Sequence, residues 1–501
     1  MKLYKYLPVL LLAAFASSCE VERLPLSEIS EDEYYTTADE LATGLVACYN
    51  GLQDPLEYEW RLTELRSDHS RIETAGSTKA ETFLQLELDR CSVPTTNSHV
   101  YDYWKETYYN ITNCNTILDN IDVVENEATY NEIAGQARFI RAYHYFNLVR
   151  LYGPVFLVKT RISAQESLEY TRAPLDECYE FIVEELIGAA EMLEGIVFDS
   201  TEFGRATEWA AKSLLGKVYL TLYEYSNAAE VLLDVINNSG HELLSSYADV
   251  HSIYNEGHAE AIFSVRFTSG GLDLGSSFAN MFMASGGSSS ADVITGGGDG
   301  YNIPTYCIRN AYEDGDLRGE DVTFKAGYYN AAGTSYFEYP YCYKYFELLT
   351  IADDGDSDWI VLRYADVLLM YAEACNELDQ MATAVEYMNM TRVRAGLTEV
   401  SEADYSSKNE MRMALETERQ VELAFENHRW FDLVRTGRVI EVVMDGFSDA
   451  FYSSAISAGN DLSMPSYDGS GSVPMEENDI LLPIPQTEID ANPNITQNAG
   501  Y

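Results

Sequence analysis

Basic residues are scarce in this chain: 32 lysines and arginines stand against 81 aspartates and glutamates, a formal charge of −49. Such a balance repels phosphate backbones and anionic lipid, which excludes nucleic acid as a partner and argues against a membrane-embedded body. Beyond the first 18 residues no apolar run approaches the roughly 20 residues needed to cross a bilayer. Cysteine is sparse too, eight in 501 residues, with no CxxC pair and no spacing that suggests zinc or a redox centre. The signatures HExxH, G-x-S-x-G, the Walker loop and GxGxxG after a strand are all missing. With 81 acids a close carboxylate pair arises by chance, so a glycosidase arrangement carries little weight and the chain reads as a non-enzyme. His144 and His428 fall inside helical patterns, where a packed histidine is expected rather than a catalytic base.

What is present begins at the N-terminus. Lys2 and Lys5 precede the apolar run Leu7 to Phe15, and Ala16, Ser17 and Ser18 lead to Cys19. Residues 1–18 read as a signal peptide, and small residues immediately before a cysteine look like a bacterial lipobox, predicting cleavage before Cys19 and lipid attachment there. Residues 19–33 then form the lipid anchor and an acidic tether, so membrane attachment is through lipid only. Of the other cysteines, Cys48, Cys114 and Cys375 sit in helix-like apolar patterns as buried thiols. Cys91, Cys307 and Cys342 lie in less regular segments, where one disulfide of unassigned pairing could form.

The body begins near Tyr34. Leu41, Leu45, Ala47, Cys48 and Leu52 share a helix face over residues 37–52, and Trp104, Tyr108, Ile111, Asn115 and Leu118 share one over 103–121. Residues 131–152 carry apolar stripes on two sides, as a helix sandwiched in a bundle does. Leu215, Gly216, Tyr219, Ala228 and Leu232 fall where a tetratricopeptide helix pair places its contacts, with Tyr225, Ser226 and Asn227 as the turn. Ala372 and Ala384 repeat the 12-residue separation of small contact residues. A long insertion, about 240–358, rich in Gly, Ser, Asp and Tyr, separates the two pairs, and within it Glu260 to Phe267 alternates as a strand. Asp353 to Asp358 has the oxygen density of a calcium loop without the spacing or closing glutamate of an EF-hand; it reads as an exposed acidic turn, and no cofactor is expected.

The stretch ETERQVELAFENHRWFDLVRTG, Glu416 to Gly437, joins a charged helix to an aromatic plug and a glycine stop. Ala414, Thr417, Val421, Ala424 and Phe425 recur at helical spacing, while Glu418, Arg419, Glu422 and Glu426 crowd the other side. Glu418, Arg419, Glu422, Arg429, Asp432 and Arg435 alternate in sign, predicting ion pairs that tie this helix to its neighbours, and Arg138 and Arg141 read the same way. This stretch resembles the C-terminal signature of the SusD/RagB family. So, in the family's order, do GQARFIRAYHYFNLVRLYGPVFLV (135–158), GRATEWAAKSLLGKVYL (204–220), LRYADVLLMYAEACNE (362–377) and LLPIPQTEIDANPNITQNAGY (481–501).

The resemblance implies an all-α-dominated fold: a tetratricopeptide-like helical hairpin scaffold with irregular loop-rich insertions and a few short strands, in a single domain over 34–501. It also implies a lipid-anchored outer-membrane protein of Bacteroidetes, facing the cell exterior, that captures a nutrient and passes it to a SusC-like TonB-dependent transporter. Capture of a glycan needs flat apolar faces rimmed by donors and acceptors, and the 38 tyrosines supply both. The expected ligand residues are Trp60, Arg66 and Asp68 from one non-periodic stretch, and Tyr301, Tyr329 and Tyr336 from the insertion. A peptide is the alternative cargo, since stacking aromatics serve both; an envelope adaptor without a small ligand is the alternative role.

Overall fold

The computed structural model describes residues 34–72, 80–199, 201–284, 294–329, 334–447 and 475–501. The signal peptide, Cys19 and the tether through residue 33 lie outside the described residues. The principal helices are α1 (Ala38–Asn50), α2 (Gln53–Thr63), α3 (Ala80–Asp89), α4 (Ser98–Asp119), α5 (Glu127–Tyr152), α6 (Leu175–Met192), α7 (Glu208–Thr221) and α8 (Tyr225–Asn238), then α9 (Tyr364–Glu377), α10 (Met381–Arg394), α11 (Lys408–Glu422), α12 (Arg429–Arg435) and α13 (Val439–Phe447). Helices α4 to α9 pack in file, each against the next, and α9 also packs on α10 and α11. This is the tetratricopeptide-like arrangement. Its central member α5 buries residues on all sides, Phe139, Ala142 and Phe146 as well as Ile140, Leu148 and Leu151.

Caps set the helix starts. The side chains of Thr37, Asn97, Asn126, Thr207 and Ser407 accept from backbone N–H groups in the first turns of α1, α4, α5, α7 and α11. The α7–α8 turn falls one step earlier than its sequence suggests: Tyr223, at φ 60°, makes it, and Tyr225 already opens α8. Small residues set the helix separations. A Cβ on Gly216 would lie 2.5 Å from Leu232 Cδ2 on the fully buried face of α8. Alanine for glycine inside a helix ordinarily stabilises by up to about 1 kcal/mol. Here overpacking reverses the sign: Gly216→Ala is expected to cost about 1–3 kcal/mol, read as a fall in melting temperature.

The strands are short: β1 (Ser70–Arg71), β2 (Ala261–Val265), β3 (Ile303–Pro304), β4 (Phe324–Lys325), β5 (Tyr328–Tyr329), β6 (Tyr336–Phe337), β7 (Tyr341–Cys342) and β8 (Trp359–Arg363). They pair antiparallel as β1–β3, β2–β8, β4–β7 and β5–β6. The predicted strand around Glu260 to Phe267 is therefore β2, and its partner β8 closes the insertion where the chain re-enters the scaffold. All seven described cysteines are free thiols in the structure, and it links no pair among Cys91, Cys307 and Cys342.

Asp353 to Asp358 is not the exposed acidic turn its composition suggests. Asp354 Oδ2 accepts from the amides of Gly270 (2.8 Å) and Gly271 (2.9 Å), Asp356 Oδ1 from Ser269 N (2.8 Å), and Asp358 Oδ1 from Phe267 N (2.8 Å). Three alternate carboxylates thus satisfy the backbone of 267–271, which has no strand partner there. Beside this clamp, burial and then the Asp358 charge push Glu256 up to about 7, and burial pushes Asp358 up to about 6. Carboxylates raised in the folded state take up protons on folding, so their stabilisation is complete below their unfolded values and is lost as pH rises through 6–7. The melting temperature is therefore expected to fall between about pH 4 and 7. Glu256→Gln should flatten that slope in a scan of melting temperature against pH.

Candidate functional site

The charged signature of α11 lies in the interior, where it fastens the insertion to the scaffold. Glu422 accepts from Arg318 Nη1 (2.9 Å), from Arg363 Nη1 (2.5 Å) and from Arg394. Glu426 accepts from Arg363 Nε and Lys344 Nζ, both at 2.7 Å, and Glu418 from Arg318 Nη1 at 2.6 Å. Glu260 joins through Arg363 (2.9 Å) and Arg394 (3.0 Å). Arg318 and Lys344 belong to the insertion, Arg363 to β8, Arg394 to α10. Despite the burial cost, the surrounding guanidiniums hold the Glu422 and Glu426 carboxyls well below the usual range. A second chain, Lys217–Asp366–Arg419–Asp432–Arg435, ties α7, α9, α11 and α12. Arg141 and Arg138 both bond Glu185, linking α5 to α6. The predicted ion pairs are in place. The helix they belong to is shorter than its periodicity suggests, because α11 ends at Glu422 and the chain turns through left-handed Phe425 and Asn427, both at φ 63°.

Four of the six expected ligand residues are structural. Trp60 is fully buried in α2, edge-on to Phe282 (ring centroids 5.1 Å) and under the Arg61 guanidinium. Its stretch lacks periodicity because nearly every side is covered: the neighbouring charges are interior too, Glu59 accepting from Tyr103, Tyr143, Asn147 and Asn427. Arg66 donates to the carbonyls of Asp479 (2.7 Å) and Ile480 (2.9 Å) and lies 3.9 Å over the Trp430 ring. Asp68 takes a bidentate pair from Arg429, 2.7 and 2.9 Å. Tyr301 is buried beside Trp60. None of the four presents a face to solvent.

Tyr329 and Tyr336 do. They are 54% and 50% exposed, and Phe337 beside them 46%. All three belong to the β5–β6 hairpin, in register Tyr328↔Phe337 and Tyr329↔Tyr336. Side chains alternate across a strand, so the two pairs take opposite faces. Tyr328 packs on a small cluster of Met283, Ala284, Ile294 and Tyr341, which seats the hairpin on the insertion. The opposite face carries Tyr329 and Tyr336, ring centroids 5.1 Å apart, out to solvent. Tyr328 and Phe337 stack at 5.4 Å, stiffening the ribbon from beneath. Gly327 lets the strands close: a Cβ there would lie 2.2 Å from the Phe337 carbonyl oxygen and 2.7 Å from the Tyr336 hydroxyl.

The rim of this hairpin is acidic. Partial burial, then Glu320 and Glu338, raise the Tyr336 phenol against the opposing charge of Arg309, so its hydroxyl stays protonated and can donate. Lys325 is held by Asp321 (2.9 Å) and sits 4.5 Å over the Tyr343 ring. Flat rings, hydroxyl donors and carboxylate acceptors thus share one side of the insertion. Sequence reasoning reached Phe337 as one of the insertion's stacking aromatics, but not Glu320, Glu338 or the hairpin itself. The signal was there in YYNAAGTSYF (328–337): aromatic doublets flanking a small, turn-prone segment make a hairpin.

A cleft of about 430 Å³ between α8, α9, α11 and α12 is lined by four arginines, each already matched to a carboxylate, Arg412 to Glu377 and Arg435 to Glu373 among them. His144 is buried and His428 half-buried, and burial pushes both down to about 3, with His144 bonded to Asn110 and His428 to Lys217. Among the described residues no group of three or more His, Cys, Asp or Glu is arranged to hold a metal ion. No helix among them is long and apolar enough to cross a membrane.

A tetratricopeptide-like scaffold that carries an aromatic hairpin on an irregular insertion defines a class of helical proteins. Two family profiles agree on which: one described as "SusD family" matches residues 265–501, and one described as "Starch-binding associating with outer membrane" matches 27–220. The chain belongs to the SusD/RagB family. It is similar to SusD-like protein P2 of Formosa agariphila, 27% identical over the whole of both chains. It is also similar to the solved structure of a laminarin-binding SusD-like protein, 25% identical, TM-score 0.76, covering 93% of this chain and 100% of that one. The fold is shared, at 19% identity, with surface glycan-binding protein A of Bacteroides thetaiotaomicron in complex with laminarihexaose, TM-score 0.75, covering 92% and 100%.

Proposed function

We propose that this chain is a lipid-anchored surface protein of the outer membrane that captures an oligosaccharide or polysaccharide on the β5–β6 hairpin and passes it, chemically unchanged, to a SusC-like TonB-dependent transporter. The observation that carries the reading is the pair Tyr329 and Tyr336, half exposed on a braced ribbon with Phe337 at its edge and carboxylates around it. A sugar ring lays its C–H face on such aromatics, while its hydroxyls meet phenol donors and carboxylate acceptors. The 25%-identical laminarin-binding relative supports a neutral glycan as cargo. The acidic rim and the overall charge of −49 disfavour uronate or sulfated chains.

Affinity electrophoresis in gels cast with neutral and acidic polysaccharides, beside a peptide panel in solution, tests this reading. Retardation by at least one neutral glycan, recovered at its original length, is the expected result. Binding of peptides alone would move the cargo to that class. No ligand at all, with the transporter still co-purifying from detergent-solubilised membranes, would leave an adaptor.

A further inference from the structure

Helices α1 and α4 pack against each other in opposite directions, and Gly44 in α1 and Gly51 at its C-cap set the approach. A Cβ on Gly44 would lie 2.6 Å from Ile117 Cδ1, and one on Gly51 would lie 2.4 Å from Asn110 Oδ1. Between these contacts, four residues along α1 from Gly44 and three back along α4 from Ile117, Cys48 comes opposite Cys114. Both are fully buried. Asn110 Nδ2 donates to the Cys48 carbonyl at 2.9 Å, fixing the register one turn away, and the two thiols are near enough that Cys48, after burial, helps push the Cys114 thiol up. Close backbones, matched register and facing side chains are the conditions a disulfide needs.

We propose that Cys48 and Cys114 are a latent cross-link site, joined as a disulfide when the chain matures in an oxidising compartment. The oxidant is a protein disulfide of the thiol–disulfide oxidoreductase class. The Cys48 thiolate attacks it to give a mixed disulfide, and the Cys114 thiolate displaces the oxidoreductase sulfur. The two cysteines lose two protons and two electrons, and the oxidoreductase leaves as a dithiol. Closure precedes final packing, since the folded pair is sealed from an attacking protein. The bond pins α1, the first described principal helix after the proposed tether, to the scaffold, so a pull from the lipid anchor meets a covalent link. This inference rests on export, and not on which ligand the hairpin takes.

The test is peptide mapping of the full chain exported through its own leader, alkylated in denaturant without reductant. The expected result is a Cys48 peptide linked to a Cys114 peptide in most molecules. Reductant should lower the melting temperature by roughly 2–5 °C. Cys48→Ser should abolish that sensitivity. Alkylation of both positions as free thiols, or linkage of either to another cysteine, overturns the proposal, and the mapping of the wild-type chain decides this whether or not the variant folds.

Discussion

Glu422→Ala loses about 3–5 kcal/mol of unfolding free energy, the scale for breaking a buried ion pair by removing one partner. The carboxylate receives three guanidiniums, from Arg318, Arg363 and Arg394, and the first two are fully buried. Without it these cations stay in the interior with fewer counter-charges, since Glu260, Glu418 and Glu426 are already bonded. Chemical denaturation of wild type and variant reads the loss directly, and a change below about 1 kcal/mol would show that the network is not what holds the insertion. Because the carboxyl is held low in the fold, its stabilisation is present at neutral pH and fades only as pH falls below the ordinary range, about 4. The wild-type advantage over the variant should therefore shrink in acid.

The second large effect is on affinity alone. Tyr329→Ala with Tyr336→Ala removes the outward face of the hairpin while leaving Tyr328 on its cluster. Each stacked ring contributes about 0.5–1.5 kcal/mol beyond area burial, so the pair is worth on the order of 10–100-fold in Kd. Calorimetric titration with the glycan found by electrophoresis measures it. The melting temperature should move by under about 1 °C, because both rings are surface residues. Trp60→Ala gives the opposite result: a buried tryptophan removed costs about 3–5 kcal/mol of stability. Any loss of binding there would follow from unfolding.

That contrast marks where the sequence was legible. α5 could be read because both its faces are periodic, and α7–α8 because Gly216 must sit against Leu232. The ion pairs of Glu418, Arg419 and Glu422 were readable as pairs. What could not be read is which charges are inside. Glu59, Arg61, Glu64 and Arg66 have the composition of a surface loop, yet all are buried, and they made Trp60 look like an exposed ring among polar neighbours. Asp354, Asp356 and Asp358 misled in the same way, since the amides they serve lie more than 80 residues upstream. The break after Glu422 was hidden because Ala424 and Phe425 are buried in spite of leaving the helix. The ligand hairpin carries no signature of its own, only aromatic doublets around a turn.

The most direct measurement is a crystal structure of the mature chain with the shortest oligosaccharide that binds it. The expected structure holds an intact sugar whose ring lies flat on Tyr329 and Tyr336, within hydrogen-bond reach of the hairpin's acidic rim. A sugar seated elsewhere, in the arginine-lined cleft by Arg412 and Arg435 for instance, or one found cleaved, would contradict it.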